Sequence, residues 1–154
     1  MLPVVTVIEN SFVKIAWQYP NDNSDTVVEY EILIRQGDMK TFTPQLLYCD
    51  GRSAAIVQKL YCLVPMSTLR AEPYSLKFKD YVFAKIKAKN ALGWSPYSDL
   101  NSMETQIQIE PGTGNLVRRG SQTSTTRIEV VWDAMTTSSE TGDSPIRSYN
   151  LEWD

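Results

Sequence analysis

The sequence predicts an all-β protein folded as an antiparallel β-sandwich, and three observations support this fold class. Apolar and polar residues alternate along several short segments, as in a strand with one buried and one solvated face. Clusters of turn-forming residues separate these segments. Helical periodicity is scarce, and 42% of the 154 residues are hydrophobic, which is enough for a packed core. Short strands at this spacing favour a sandwich.

Three segments show the alternation most clearly. Residues 13–18 and 30–35 each carry three apolar side chains on one face, with charged or polar side chains opposite. Residues 81–89 place three lysines on the outward face. The inward positions predicted from this pattern are Val13, Ile15, Trp17, Tyr30, Ile32, Ile34, Val82, Ala84, Ile86 and Ala88.

Two segments are assigned on weaker patterns. Residues 54–57 are apolar and are predicted to be strand-like, between the only two cysteines of the chain. Residues 66–79 contain Pro73 and do not alternate, so they are predicted to form a short helical or irregular crossover.

An internal repeat indicates the domain organisation. Residues 127–133 match the pattern of residues 13–18, with Trp132 in the place of Trp17, and residues 144–153 match the stretch around residues 30–34. We therefore expect a complete module over residues 1–109, a linker over 110–115, and the first three strands of a second module, incomplete, over 116–154. Either the chain is a segment of a longer tandem array, or strands from another copy complete the second module.

Residues 81–98, with the ending Asn-Ala-Leu-Gly-Trp-Ser-Pro-Tyr-Ser, resemble the F strand, F–G turn and start of the G strand of fibronectin type III modules. Trp17 and Tyr30 resemble the tryptophan of strand B and the tyrosine of strand C in that family. Residues 142–149 resemble its B–C turn and strand C. The resemblance covers residues 3–108 and 116–154 and implies a Greek-key β-sandwich, while it says little about function.

The chain departs from the family in its cysteine pair. The run from Cys49 to Cys62-Leu63-Val64-Pro65 resembles the fibronectin-type repeats of very large, repetitive surface proteins of protists. Together with the spacing, that resemblance implies a disulfide between Cys49 and Cys62 and thus an oxidising compartment. The alternative is two buried free thiols in a cytosolic module. The family's usual leucine–proline–glycine–threonine sequence before Tyr81 is also missing.

Composition argues against an enzyme. The chain has no histidine and only two cysteines, so serine–histidine and cysteine–histidine nucleophile pairs and a standard zinc site are ruled out. Its carboxylates are scattered without a paired spacing. We therefore expect no catalytic residues, no cofactor and no metal ligands. Residues 21–23, Asn-Asp-Asn, suggest a calcium motif, but a solvated B–C turn is the preferred interpretation because no second acidic element accompanies them.

Charge and hydropathy limit the partners. The net charge is −3 without a basic block, which argues against nucleic acid or an anionic membrane as the main partner. No apolar run approaches the roughly 20 residues of a membrane-spanning helix, and no signal peptide is visible. Lys85, Lys87 and Lys89 form a stripe that a sulfated glycan or acidic partner could use, although a solvated strand face is the preferred interpretation.

Serine and threonine are dense in the second module. In a secreted chain this density makes several of them candidates for O-linked glycosylation. The alternative is a polar strand A and a long B–C loop. The candidates are Thr123, Ser124, Thr125, Thr126, Thr136, Thr137, Ser138 and Ser139.

These observations together predict a non-enzymatic structural or adhesive segment of an extracellular tandem-repeat protein, whose partners are other copies or neighbouring modules and glycans, and which forms a surface fibre through contacts between copies. A ligand-binding receptor ectodomain and an intracellular scaffold are the alternatives. The Trp94-Ser95-Pro96-Tyr97-Ser98 stretch does not favour a cytokine receptor, because Tyr97 stands where the second tryptophan belongs and lysines replace the arginines of that motif.

Overall fold

A computed structural model describes residues 1–21, 25–114 and 116–153 of the chain. The chain divides into two compact units, Met1–Ile107 and Gln108–Asp154. This division falls two residues before the module end at Ile109 that the sequence predicts. The first unit contains most of the regular structure, and the two units are described in turn.

The first sheet of the first unit has three antiparallel strands in the order β1-β2-β5. They are β1 (Val5–Glu9), β2 (Phe12–Ala16) and β5 (Tyr61–Pro65). A tight turn joins β1 to β2, and Asn10 adopts a left-handed φ of 58° there, a conformation that asparagine tolerates better than most residues. The register places Val13 opposite Val64 and Ile15 opposite Cys62.

The second sheet has four antiparallel strands in the order β4-β3-β6-β7. They are β3 (Glu29–Arg35), β4 (Phe42–Pro44), β6 (Ala84–Asn90) and β7 (Gly93–Trp94). Along the central pair, Tyr30 lies opposite Ala88 and Ile32 opposite Ile86. The inward side chains of the two sheets form one core, and all ten inward positions predicted from the alternation are buried. The expectation of a mostly β fold with antiparallel sheets is confirmed.

Two short helices interrupt the strands of the first unit. Helix α1 (Ala54–Lys59) lies where the sequence was expected to form a strand, so that prediction is wrong. The reason is the i, i+4 spacing of Ile56 and Leu60, both of which pack partly buried against the core, together with the left-handed conformation of Leu60 that ends the helix. Helix α2 (Met66–Arg70) buries Met66 and Leu69 and confirms the expected helical crossover.

The outer edge of β6 is covered by an irregular segment in place of a regular strand. Ser95 N and Ser98 N donate to the carbonyls of Ala88 and Ile86. In return, the amides of Ala88 and Ile86 donate to the hydroxyls of Ser95 and Ser98, each at 3.1 Å. Side-chain oxygens therefore replace carbonyls as acceptors, and the edge is satisfied without a continuous ladder.

The second unit contains β8 (Arg118–Arg119) paired with β9 (Val130–Val131) and the helix α3 (Ser138–Thr141). The third strand expected over residues 144–153 is not formed, because no other described segment of this unit pairs with it. Gly142 ends α3 with a left-handed φ of 67°, and a Cβ there would lie 2.0 Å from the carbonyl oxygen of Ile109. Across the described residues of both units, no helix is long and apolar enough to cross a membrane.

Candidate functional site

The outward side of the second sheet carries a set of cations interleaved with aromatic rings, which we call the lysine–aromatic face. Lys85 Nζ lies 4.2 Å from the centre of the Phe42 ring and 4.7 Å from that of Tyr97. Lys87 Nζ lies 4.5 Å from the centre of the Trp94 ring. These distances are within the range of cation–π attraction. The face comprises Phe42, Lys85, Lys87, Lys89, Trp94 and Tyr97.

Two glutamates of β3, Glu29 and Glu31, form ion pairs with Lys89 and Lys87 of this face. Glu31 Oε2 lies 2.7 Å from Lys87 Nζ and also accepts a hydrogen bond from the hydroxyl of Tyr97. The hydrogen bond from Lys87, followed by that from Tyr97, lowers the pKa of Glu31 below its usual value. Reciprocally, the hydrogen bond to Glu31 raises the pKa of Lys87. Lys87 and Lys89 are thus paired with glutamates of the neighbouring strand, in agreement with the interpretation as a solvated strand face.

A groove lies at one end of the lysine–aromatic face. It has a volume of about 810 Å³ and lies between the end of β6, the turn at residues 90–93 and the segment 18–21. Two aromatic side chains line it, Tyr19 and Trp94, which are 46% and 40% exposed. Amide side chains, one lysine and aliphatic residues complete its wall. Sequence reasoning missed the groove, because its walls come from segments more than 60 residues apart.

The two cysteines are joined in the structure. Cys49 and Cys62 form a disulfide with their Cα atoms 5.2 Å apart, and both are buried. The bridge connects β5 to the turn that precedes α1. In this turn Gly51 O accepts from Tyr30 N at 3.0 Å, and a Cβ on Gly51 would lie 2.0 Å from the carbonyl oxygen of Tyr30. The bridge and this close approach hold the turn on the edge of β3.

The glycosylation candidates differ in how far the fold engages them. Thr123 Oγ1 accepts from Glu129 N at 3.0 Å, and Thr137 Oγ1 accepts from Glu140 N as the cap of α3. Glu140 closes the capping box, and the hydrogen bonds from the amides of Thr137 and Thr136 lower its pKa. The pattern Thr-x-x-Glu was a sequence signal for α3 that was missed when these residues were assigned to a B–C loop. The other six are exposed, namely Ser124, Thr125, Thr126, Thr136, Ser138 and Ser139.

The tryptophan–tyrosine pairs belong to the packing of each unit. In the first unit the Trp17 and Tyr30 rings lie 5.3 Å apart, and desolvation by burial raises the pKa of Tyr30 to about 12. In the second unit Trp132 and Tyr149 make an equivalent contact at 5.8 Å. Trp17 and Tyr30 are therefore core residues, as expected.

Of the calcium motif suggested at residues 21–23, residues 22 and 23 lie outside the described residues. Within the described residues, no group of three or more histidine, cysteine, aspartate or glutamate side chains could hold a metal ion. No protein-family model matches the sequence, and no curated protein is significantly similar to it.

Proposed function

We propose that the chain is a non-enzymatic, structural or adhesive segment of an extracellular protein built from tandem fibronectin type III-like modules. The observation that carries this proposal is that the same tryptophan–tyrosine contact occurs in both units, at 5.3 Å and 5.8 Å. Two copies of one packing motif in a single chain are typical of modular arrays, whose role is to connect and space contacts.

The disulfide supports the extracellular part of the proposal. The bridge between Cys49 and Cys62 is buried, and disulfides of this kind persist in oxidising compartments. A loop of this size gains on the order of 3 kcal/mol of stability from its cross-link. Such a cross-link suits a module that must stay folded outside the cell.

The adhesive part of the proposal rests on exposed apolar surface. In the second unit Ile128 and Trp153 are 82% and 83% exposed, and in the first unit Val5 and Val7 on the edge strand β1 are each about half exposed. Exposed apolar side chains of this size favour contacts with other polypeptides, including other copies. The groove is the observation that favours the second candidate, a receptor ectodomain that binds a ligand at the loop end of the module.

The redox state of the cysteines tests the proposal. Both cysteines are buried, so the protein is unfolded in denaturant and treated with a maleimide, before and after reduction. We expect no labelling of the oxidised protein and two labels after reduction. Two maleimide-reactive thiols in protein from its native source would contradict the extracellular assignment and favour the intracellular scaffold. Sedimentation at increasing concentration then measures contacts between copies.

A further inference from the structure

We propose that the groove is a binding site for an acidic oligosaccharide, with Trp94 as its stacking platform and Lys89 as its anion contact. This inference rests on the proposed function and deepens it, because a groove that binds glycans would give the module a second means of adhesion beside its exposed apolar surface. Its structural basis is the geometry of the first unit alone.

The charge of the groove wall favours an anionic ligand. Among the described residues that line the groove, Lys89 is the only charged side chain and none carries a carboxylate. The Lys89 side chain is 40% exposed, and its Nζ lies 3.5 Å from Glu29 Oε2. Glu29 is shared with Arg52, whose Nε lies 3.7 Å from its other oxygen. The pairing of Lys89 is therefore loose and partial, and a ligand anion can compete for it.

The polar groups of the wall are suited to hydroxyl groups. Gln18 is exposed, and its amide makes no hydrogen bond within the described part of the chain, so it can both donate and accept. Asn90 Oδ1 accepts from the amides of Leu92 and Gly93 at 3.1 Å and 3.2 Å. Its Nδ2 donates to no acceptor within the described part of the chain and can therefore donate to a ligand. The Gln18 amide, Asn90 Nδ2 and the Lys89 ammonium can therefore bind the hydroxyl groups and the carboxylate or sulfate of an acidic sugar.

The aromatic groups supply an apolar platform. The Trp94 ring contacts Lys87 and Lys89, whose Nζ atoms lie 4.5 Å and 5.4 Å from its centre. These contacts orient the indole before any ligand arrives, which lowers the entropy that binding must remove. Tyr19 presents a second ring, and its hydroxyl accepts from Val27 N at 3.2 Å. The C–H faces of pyranose rings pack on such exposed aromatic surfaces, whereas small inorganic anions gain nothing from them.

The test uses calorimetry with the whole chain and three hexasaccharides: a galacturonic acid oligomer that carries only carboxylates, a sulfated galactan oligomer that carries only sulfates, and neutral maltohexaose. We expect at least one acidic oligomer to bind, with an affinity that falls as salt rises, and the neutral oligomer to bind at least about tenfold more weakly, since it lacks the contact with Lys89. The two acidic arms decide which anion is preferred. Equal binding of all three, or binding of none, overturns the proposal.

Substitutions locate the site. Lys89→Gln should weaken binding about tenfold, because a charge-assisted hydrogen bond is lost. Trp94→Ala should weaken it by a similar factor, while Glu29→Gln should tighten it about threefold by releasing Lys89. Lys59→Gln removes an exposed lysine of α1 outside the groove and is the matched charge control. If Lys59→Gln weakens binding as much as Lys89→Gln does, the protein attracts polyanions without a site. Unchanged thermal unfolding of each variant excludes loss of the fold, and the redox test of Cys49 and Cys62 is independent of all these outcomes.

Discussion

The rings of Trp132 and Tyr149 lie 5.8 Å apart with their planes tilted by 57°. Trp17 and Tyr30 adopt nearly the same tilt, 58°, although these two are only 6% and 2% exposed while Trp132 and Tyr149 are 40% and 43% exposed. The contact therefore does not require enclosure by a complete core.

Trp17 should therefore contribute more than Trp132 to the free energy of unfolding. Trp17→Ala is expected to lower the free energy of unfolding by about 3–5 kcal/mol, since it opens a cavity in a closed core. Trp132→Ala is expected to cost less than about 1.5 kcal/mol, the range for an aromatic pair beyond area burial. Urea titration followed by circular dichroism measures both. A larger loss for Trp132→Ala than for Trp17→Ala would contradict the ranking of the two side chains by burial.

Gly51 should tolerate no side chain. A Cβ there would lie 2.0 Å from the carbonyl oxygen of Tyr30, and backbone atoms of a central strand cannot move aside cheaply. We expect Gly51→Ala to lower the free energy of unfolding by about 3 kcal/mol, as overpacking does. Gly114→Ala is the matched control, because a Cβ at Gly114 meets nothing within 4 Å. Equal denaturation midpoints for the two variants would contradict the close approach.

Stability should fall in acid partly through Glu31. The hydrogen bonds from Lys87 and Tyr97 lower the pKa of Glu31 in the folded state below its usual 4.5. Its contribution is therefore complete above pH 4.5 and is lost as the pH falls through the folded-state pKa. The pKa of Asp38 is also lowered, because the hydroxyl of Thr41 and the amides of Lys40 and Thr41 hold it at about 2.

The measurement is the melting temperature between pH 6 and pH 3. The wild-type curve is expected to decline below pH 4.5, and Glu31→Gln should start lower and decline less. Glu9→Gln removes an exposed glutamate of β1 and should keep the slope of the wild type. Parallel curves for wild type and Glu31→Gln would rule out the assigned role.

Asn101 should be an organising residue of the first unit. Its side chain is buried and accepts from Ala84 N at 2.8 Å, while its Nδ2 donates to Val82 O at 3.0 Å and to Thr6 Oγ1 at 3.3 Å. One amide thus links β1 to β6. Asn101→Ala leaves buried backbone groups unpaired and should cost about 2–3 kcal/mol, with faster exchange of the Ala84 amide. Asn90→Ala, a turn position, serves as the comparison and should leave that exchange rate unchanged.

The strands of the first unit were predictable from the sequence because alternation of apolar residues reports directly on a half-buried strand. Trp17, Ile32 and Ile86 were identified in this way. Helix α1 was not, since four consecutive apolar residues at 54–57 carry no period of their own, and the local turn at Leu60 decided the outcome. The third strand of the second unit shows the opposite limit. A strand pattern at 144–153 cannot form a ladder unless another strand lies beside it.

The groove and the aromatic contacts of the lysine–aromatic face could not be predicted from the sequence. The spacing of Lys85, Lys87 and Lys89 predicted an outward stripe, but it contained no information on the rings that lie between them. Trp94 and Phe42 reach the stripe from different strands, so their contacts depend on sheet order. Long-range geometry of this kind follows from the fold and is not encoded in any local pattern.

The cross-link between Cys49 and Cys62 also determines how the chain would transmit a pulling force. Tension entering at one end passes from one cysteine to the other through the sulfur atoms, so the intervening residues 50–61, which contain α1, carry none of it. When the first unit is fully unfolded by force, the disulfide keeps its end-to-end length roughly 40 Å shorter than that of the same chain without the cross-link. After chemical reduction this hidden length is released, and a force–extension trace would report the redox state of the protein directly.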